Sequence, residues 1–166
     1  MFTVKIKAGL LLSLIMAVAC SSAPNIAELP MTADPSQEIA RVGEGIKQAQ
    51  VNQVNLLSPK NFESASDSLD KAKEARSKNK DQKQILHLIA VAQAYLDKAN
   101  GVANVANQLI PGVVKERQNA ITAGAPKYFP KEFDKVEKDL STVTANIEAN
   151  DTSGAESARG SLEKTL

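Results

Sequence analysis

Apolar residues recur at helical spacing along most of the chain and predict five helical stretches. In the first, Ile39, Val42, Ile46 and Ala49 follow Asp34-Pro35-Ser36-Gln37. That start combines an N-cap residue, a proline at the first helical position and a glutamine at the third. Gly43 and Gly45 weaken this helix, by up to about 1 kcal/mol each, and its end is expected near Val54. The second stretch opens at Ser58-Pro59 and carries Phe62, Ala65, Leu69 and Ala72 on one stripe, with Ser64, Asp67, Lys71 and Glu74 facing water. "SKNKD" interrupts it, and Asp81 can cap the next helix.

The third stretch is the longest and the most apolar. Ile85, Ile89, Ala92, Leu96, Ala99, Ala103, Ala106 and Ile110 make one stripe, and Leu88, Tyr95, Val102 and Leu109 a second beside it. Two stripes imply contact on more than one side, so this helix is the expected spine. Ala99, Ala103 and Ala106 would let a partner helix approach closely. Pro111 disfavours helical geometry at Ile110 and removes a donor, so a kink or break belongs there. Val113, Val114, Arg117 and Ile121 resume the pattern until Gly124 and Pro126. The fourth stretch, from Pro130, has Phe133, Val136, Leu140, Val143 and Ile147 on one face and stops at Asn150-Asp151. A fifth begins around Thr152 or Ser153, with Ala155, Ala158 and Leu162 inward. Its pattern is unfinished at Leu166, which suggests the N-terminal part of a longer protein.

One motif occurs twice. "LSPKNF" and "YFPKEF" both contain Pro-Lys-x-Phe, and Pro130 lies 71 residues after Pro59. Asn79 and Asn150 each lie 20 residues beyond their proline. With Ser58 as N-cap, Leu57 and Phe62 stand in the hydrophobic-staple positions; with Phe129 at the cap, Tyr128 and Phe133 do. An alternative use, an anion site at Lys60 and Lys131 on the two helix N-termini, is weaker. Proline and phenylalanine already have structural roles, and lysine in the first turn opposes the helix dipole. The repeat is therefore expected to start a helical hairpin twice.

The fold class implied is all-α: an elongated antiparallel helical bundle over residues 34–166, built from two helical hairpins around a long, Pro-kinked central helix. Composition agrees. Of the 166 residues 43% are hydrophobic but only 4% aromatic, with no Trp, which suits close-packed helices better than sheets. Charged residues are 23% and mixed in sign, the formal net charge is +1, and no basic stripe exists to meet nucleic acid.

The N-terminus points to an envelope compartment. Lys5 and Lys7 precede an apolar run, Ala8 to Val18, that is shorter than the roughly 20 residues of a spanning helix. Residues 1–19 read as a signal peptide that is removed. Ala17-Val18-Ala19-Cys20 resembles the lipobox of bacterial lipoproteins, with Ala17 where Leu is commonest. The resemblance implies a covalent lipid on Cys20, the only cysteine, and hence membrane attachment. Ser21 rather than Asp after it implies, for a Gram-negative source, sorting to the outer membrane. Residues 20–33, with Pro24 and Pro30, then read as a lipidated flexible tether, with a reach of about 40 Å if fully extended.

Candidate chemistry is sparse. His87 is the only histidine and sits in "ILHLIAV" with no nucleophile motif beside it, so a helix-surface or core-edge role is expected. No zinc-ligand spacing and no phosphate loop is present. No catalytic, metal-binding or cofactor-binding residue is assigned, and an enzyme is not expected.

The lipobox, the Ala-rich helical body and "GAPKYFPKEFDKVEKDL" together resemble the helical N-terminal region of OmpA-family outer-membrane lipoproteins, over about Ser58 to Leu166. The resemblance implies a periplasm-facing lipoprotein whose helical region precedes a globular peptidoglycan-binding domain. The chain carries no Asn-x-x-Leu-x-x-x-Arg stretch of the kind that binds the wall in that family, so no binding residue carries over. The expected role is a spacer and interaction module at the outer membrane, with peptidoglycan or other envelope proteins as partners. The alternative is a module that carries a lipid or peptide in a helical groove. The oligomeric state is left open.

Overall fold

A computed structural model describes residues 23–165, and the signal peptide and Cys20 lie outside the described residues. The chain forms eight α-helices and no strand among the described residues. They are α1 (Pro35–Val51), α2 (Val54–Leu57), α3 (Pro59–Ser77), α4 (Gln82–Leu109), α5 (Val113–Thr122), α6 (Ala125–Tyr128), α7 (Pro130–Glu148) and α8 (Thr152–Thr165). The protein is an all-α bundle of packed helical hairpins: α3 pairs with α4, and α7 with α8.

α4 is the spine, in contact with α1, α2, α3 and α7. Every residue of its first apolar stripe, from Ile85 to Ala106, is buried, and Ile110 just beyond it is 2% exposed. The second stripe, Leu88, Tyr95, Val102 and Leu109, packs half-buried against the core. The core has two parts. Val42, Leu69, Ala72, Leu86 and Ile89 fill the space among α1, α3 and the start of α4. Leu57, Leu96, Ala103, Val136, Leu140, Val143 and Leu162 join α2 and the rest of α4 to α7 and α8. Ile46 touches both.

Local signals explain most boundaries. Asp34 accepts from the Ser36 amide at 2.7 Å and caps α1, and Asp81 caps α4 through the Lys83 amide at 3.0 Å. Pro111 ends α4, and the chain is broken there rather than kinked, since Gly112 at φ +79° turns it into α5. α1 stops at Val51, short of the expected Val54, because Gln53 adopts the left-handed conformation at φ 60°. One-turn helix α2 comes next, and its counterpart α6 lies where the sequence suggested only a stop.

The repeat is closer than the motif alone implied. α2 and α6, and likewise α3 and α7, begin and end 71 residues apart, and α1 and α5 end 71 apart. The left-handed residues Gln53 and Asn79 match Gly124 and Asn150. α3 and α7 close with the same pair of bonds, Asn79 N–H to Arg76 O and Lys80 N–H to Ala75 O, matched by Asn150 to Ile147 and Asp151 to Asn146. That is a Schellman ending with asparagine in place of glycine.

Candidate functional site

Cys20, where the sequence led us to expect a lipid, falls outside the described residues. The stretch after it is visible from residue 23 and forms no helix. It does not run clear of the bundle as a tether would. Leu29 and Ala33 pack against the α1–α3–α4 core. The Gln82 side-chain amide donates to the carbonyls of Met31 and Ala33, at 3.0 and 3.2 Å. His87 Nδ1 stands 2.6 Å from a Glu28 carboxylate oxygen, both side chains about half exposed. Apolar burial and these polar contacts hold the end of the segment on α4, so residues 28–33 do not form the free, fully extended tether expected from the sequence. His87 thus lies on the surface, as a partner for this segment.

The two staple pairs have different surroundings. Leu57 is 1% exposed and Phe62 packs beside it in the core. Tyr128 is 65% and Phe129 61% exposed. The Tyr128 ring lies against Gly124, where a Cβ would stand 3.0 Å from two ring carbons, and beneath the Lys127 ammonium, 5.2 Å from its centroid. Phe133 is half-buried.

Ser58 occupies the cap position of α3, but its hydroxyl oxygen accepts only from the Asn61 side-chain amide, at 3.0 Å, and from no backbone amide of that helix. The cap comes from Glu148, the last residue of α7 and only 6% exposed. Its carboxylate accepts from the Lys60 amide at 3.3 Å, the Asn61 amide at 3.0 Å, the Asn61 side chain at 2.9 Å and the Ser58 hydroxyl at 2.8 Å. A negative group at a helix N-terminus meets both the orphan amides and the positive end of the dipole. The anion position considered beside Lys60 is therefore occupied from within the protein, and the lysine side chain itself points to solvent. Sequence spacing could not show this, because Glu148 is 87 residues from Asn61. Phe129, whose side chain has no acceptor, offers α7 no side-chain cap.

A groove of about 480 Å³ lies between α1 and α4. Its floor holds Gly45, Ala49, Leu96 and Ala103, and its rims carry amide side chains. Gly45 explains how the helices come so close, because a Cβ there would stand 2.9 Å from Leu96 Cδ2. On α4 the rim residues are Gln93, Asp97, Asn100, Asn104 and Asn107. They step by 4, 3, 4 and 3, a polar stripe with the same period as the apolar ones. That spacing was the available sequence signal, hidden among alanines that drew attention to the opposite face. A second cleft, about 260 Å³, is more apolar and lies between Val105 and Leu109 on α4 and Ile147 and Ala155.

Among the described residues no cluster of three or more His, Cys, Asp or Glu side chains is arranged to hold a metal ion. No described helix is long and apolar enough to cross a membrane. No protein-family model, curated protein or solved structure matches the chain. The class established here is therefore structural: an all-α bundle of two helical hairpins with a repeat at 71-residue spacing.

Proposed function

We propose that this is a lipid-anchored, non-enzymatic outer-membrane lipoprotein whose helical bundle serves as a periplasmic spacer and interaction module. One observation carries the reading: Ala17-Val18-Ala19-Cys20 stands directly behind a charged and then apolar N-terminus. A diacylated cysteine holds a protein on a bilayer stably, at about 0.8 kcal/mol per buried CH₂. A lone cysteine kept as an open thiol would suit an oxidising compartment poorly. A body of polar-faced helices with small core residues and sparse catalytic side chains fits a scaffold. Association with peptidoglycan rests on the resemblance to OmpA-family lipoproteins, and no residue of this chain is assigned to it.

The second reading, carriage of a lipid or peptide in a helical groove, divides on the character of the grooves. The larger one is rimmed by amides, which favours a peptide over an acyl chain. The apolar cleft beside Val105 is smaller than the roughly 300 Å³ at which ligand pockets begin, and a further cleft of about 440 Å³ is lined by Gln53, Asn107, Gln118 and Asn119 besides Val114.

The anchor is tested by Cys20→Ser in cells fed an alkyne-tagged fatty acid. The parent is expected to carry the tag and to sediment with membranes, and the variant to lose both. A variant that still sediments with membranes would overturn the reading.

A further inference from the structure

We propose that the α3–α4 turn is the membrane-facing end of the bundle, and that its lysines rest on the anionic headgroups of the bilayer that holds the anchor. The inference rests on the lipid-anchor reading and adds how the anchored bundle meets its membrane.

Charge is unevenly placed along the bundle. Residues 70–83 hold six cations, Lys71, Lys73, Arg76, Lys78, Lys80 and Lys83, against Asp70, Glu74 and Asp81. The mature chain, without Lys5 and Lys7, has one more acidic than basic residue, so this excess is local. The opposite end of α4, from Asn100 to Leu109, has no charged residue. Three of the six cations are answered within the protein. Lys73 pairs with Asp70 and Lys78 with Glu74, and Arg76 has the Asp34 carboxylate nearby. Lys71, Lys80 and Lys83 are exposed and make no ion pair among the described residues.

The surroundings of these lysines suit a headgroup layer. Lys71, Lys78 and Lys80 border, with Glu74, Ala75 and Leu88, a hollow of about 280 Å³. Gln82 holds the Met31 carbonyl at 3.0 Å, which brings an exposed apolar side chain to the same end. Free cations around an exposed apolar group match the polar and apolar layers of a membrane interface.

The attachment point selects this end. Glu28 meets His87 on α4, and Cys20 lies eight residues before Glu28. That arm spans at most about 28 Å when fully extended. From His87 the start of α4 at Gln82 is about 8 Å away along the helix, whereas its end at Leu109 is about 33 Å away. A bundle standing on the α3–α4 turn is within the arm's reach, and one standing on the far end is not. Attraction to an anionic surface strengthens attachment about fivefold per lysine and fades over about 10 Å. The three unpaired lysines therefore act only with the turn in contact, which makes them an orienting device for an upright bundle.

The test couples the mature chain, residues 20–166, through Cys20 to a maleimide lipid in nanodiscs. Broadening by a gadolinium-headgroup lipid is read in amide NMR. Discs of phosphatidylcholine alone are compared with discs of equal phosphatidylcholine and phosphatidylglycerol. In the mixed discs, broadening is expected to be strongest at Met31, Lys78, Asn79 and Lys80 and weakest at Asn107 and Gly112. Neutral discs, molar salt, or the combined change Lys71→Gln, Lys80→Gln and Lys83→Gln should each reduce broadening at the turn about threefold or more. Exposed lysines without partners accept glutamine at little cost, and circular dichroism checks that the variant stays folded. Equal broadening in neutral and mixed discs, indifference to salt or to the triple change, or broadening spread evenly along α4 would overturn the proposal. So would turn signals that answer to soluble polyglutamate and not to anionic lipid, which would make the partner an acidic protein. Because the lipid is attached chemically, the result does not depend on whether cells acylate Cys20. An anchor absent from the fatty-acid assay and a turn indifferent to lipid charge are thus separate failures.

Discussion

The segment from α2 through α3 and the segment from α6 through α7 are nearly the same piece of chain placed in different company. Backbone angles agree at the cap, with φ −146° and ψ 68° at Ser58 against φ −134° and ψ 54° at Phe129. Burial does not agree. Leu57 and Ser58 are sealed by α7, whose last residue supplies their cap, whereas Tyr128 and Phe129 face solvent. The residue that corresponds to Glu148 in the first unit is Ser77, which bonds only to Glu74 O in its own helix. Local chemistry thus placed the helix ends twice, and tertiary packing decided which end received a charge.

The seating of the preceding helix differs as well. Ile46 of α1 wedges between the two parts of the core. Its counterpart Arg117 on α5 instead forms a two-bond pair with Glu137 of α7, at 2.6 and 3.0 Å. At this position the first unit is held by apolar contact and the second by a partly exposed ion pair, beside the apolar contacts of Val113 and Val114.

Three sets of substitutions sharpen the contrast. Glu148→Ala leaves the α3 amides, Ser58 and Asn61 without their acceptor in a buried place. It should lower stability by about 3 kcal/mol in urea unfolding. The counterpart change Ser77→Ala, at an exposed helix end, should stay within about 0.5 kcal/mol. Equal losses would show that the two helix ends are not distinguished by Glu148. Next, Ile46→Ala should cost about 2 kcal/mol through lost packing. Arg117→Ala should cost about 1 kcal/mol and lose most of that difference in high salt, where ion pairs are screened. A salt-sensitive Ile46 variant beside a salt-insensitive Arg117 variant would reverse the assignment.

The smallest effect is expected with acid. Asp139 on α7 is held below the usual carboxylate value first by its bond from Lys135, then by the Ser161 hydroxyl, and further by Thr165. Ser161 and Thr165 belong to α8, so this carboxylate links the hairpin. A lowered folded pKa means that the contribution is complete above the ordinary value of 3.8 and is lost as pH falls through the folded one. The counterpart Ser68 bonds only within α3, at 2.7 Å to Ser64 O. Asp34 and Glu74 are also held low, each through bonds near its own helix end. Acidification from about pH 5 to about pH 3 should therefore loosen α7–α8 before α3–α4, as seen in residue-resolved NMR intensities. Asp139→Asn should remove that order, and an unchanged order would place the acid sensitivity elsewhere.

Much of this architecture was readable from period and punctuation. The stripes of α3, α4, α7 and α8 face the core as their spacing implied, with Phe62, Phe133 and Ala158 only half-buried, and prolines 59, 111 and 130 mark real boundaries. The turn at Gly124 carried a visible signal, and its twin at Gln53 did not, because glutamine in a left-handed conformation is invisible to composition. Glu148 carries no local signal of its role, since nothing near it in sequence tells a carboxylate that it will meet another helix. The polar stripe from Gln93 to Asn107 has the same period as the apolar stripes and is legible in the sequence. The docking of residues 29–33 on α4 depends on side chains 49 or more residues away, beyond any local pattern.

The central structural claim is that one carboxylate distinguishes two otherwise equivalent helix ends. Amide hydrogen exchange at the paired positions tests it most directly. The account predicts strong protection of the Lys60 and Asn61 amides, little at Lys131 and Glu132, and loss of the protection at Asn61 in Glu148→Gln or Glu148→Ala. Equal protection at both helix ends, or protection that survives removal of the Glu148 carboxylate, would contradict it.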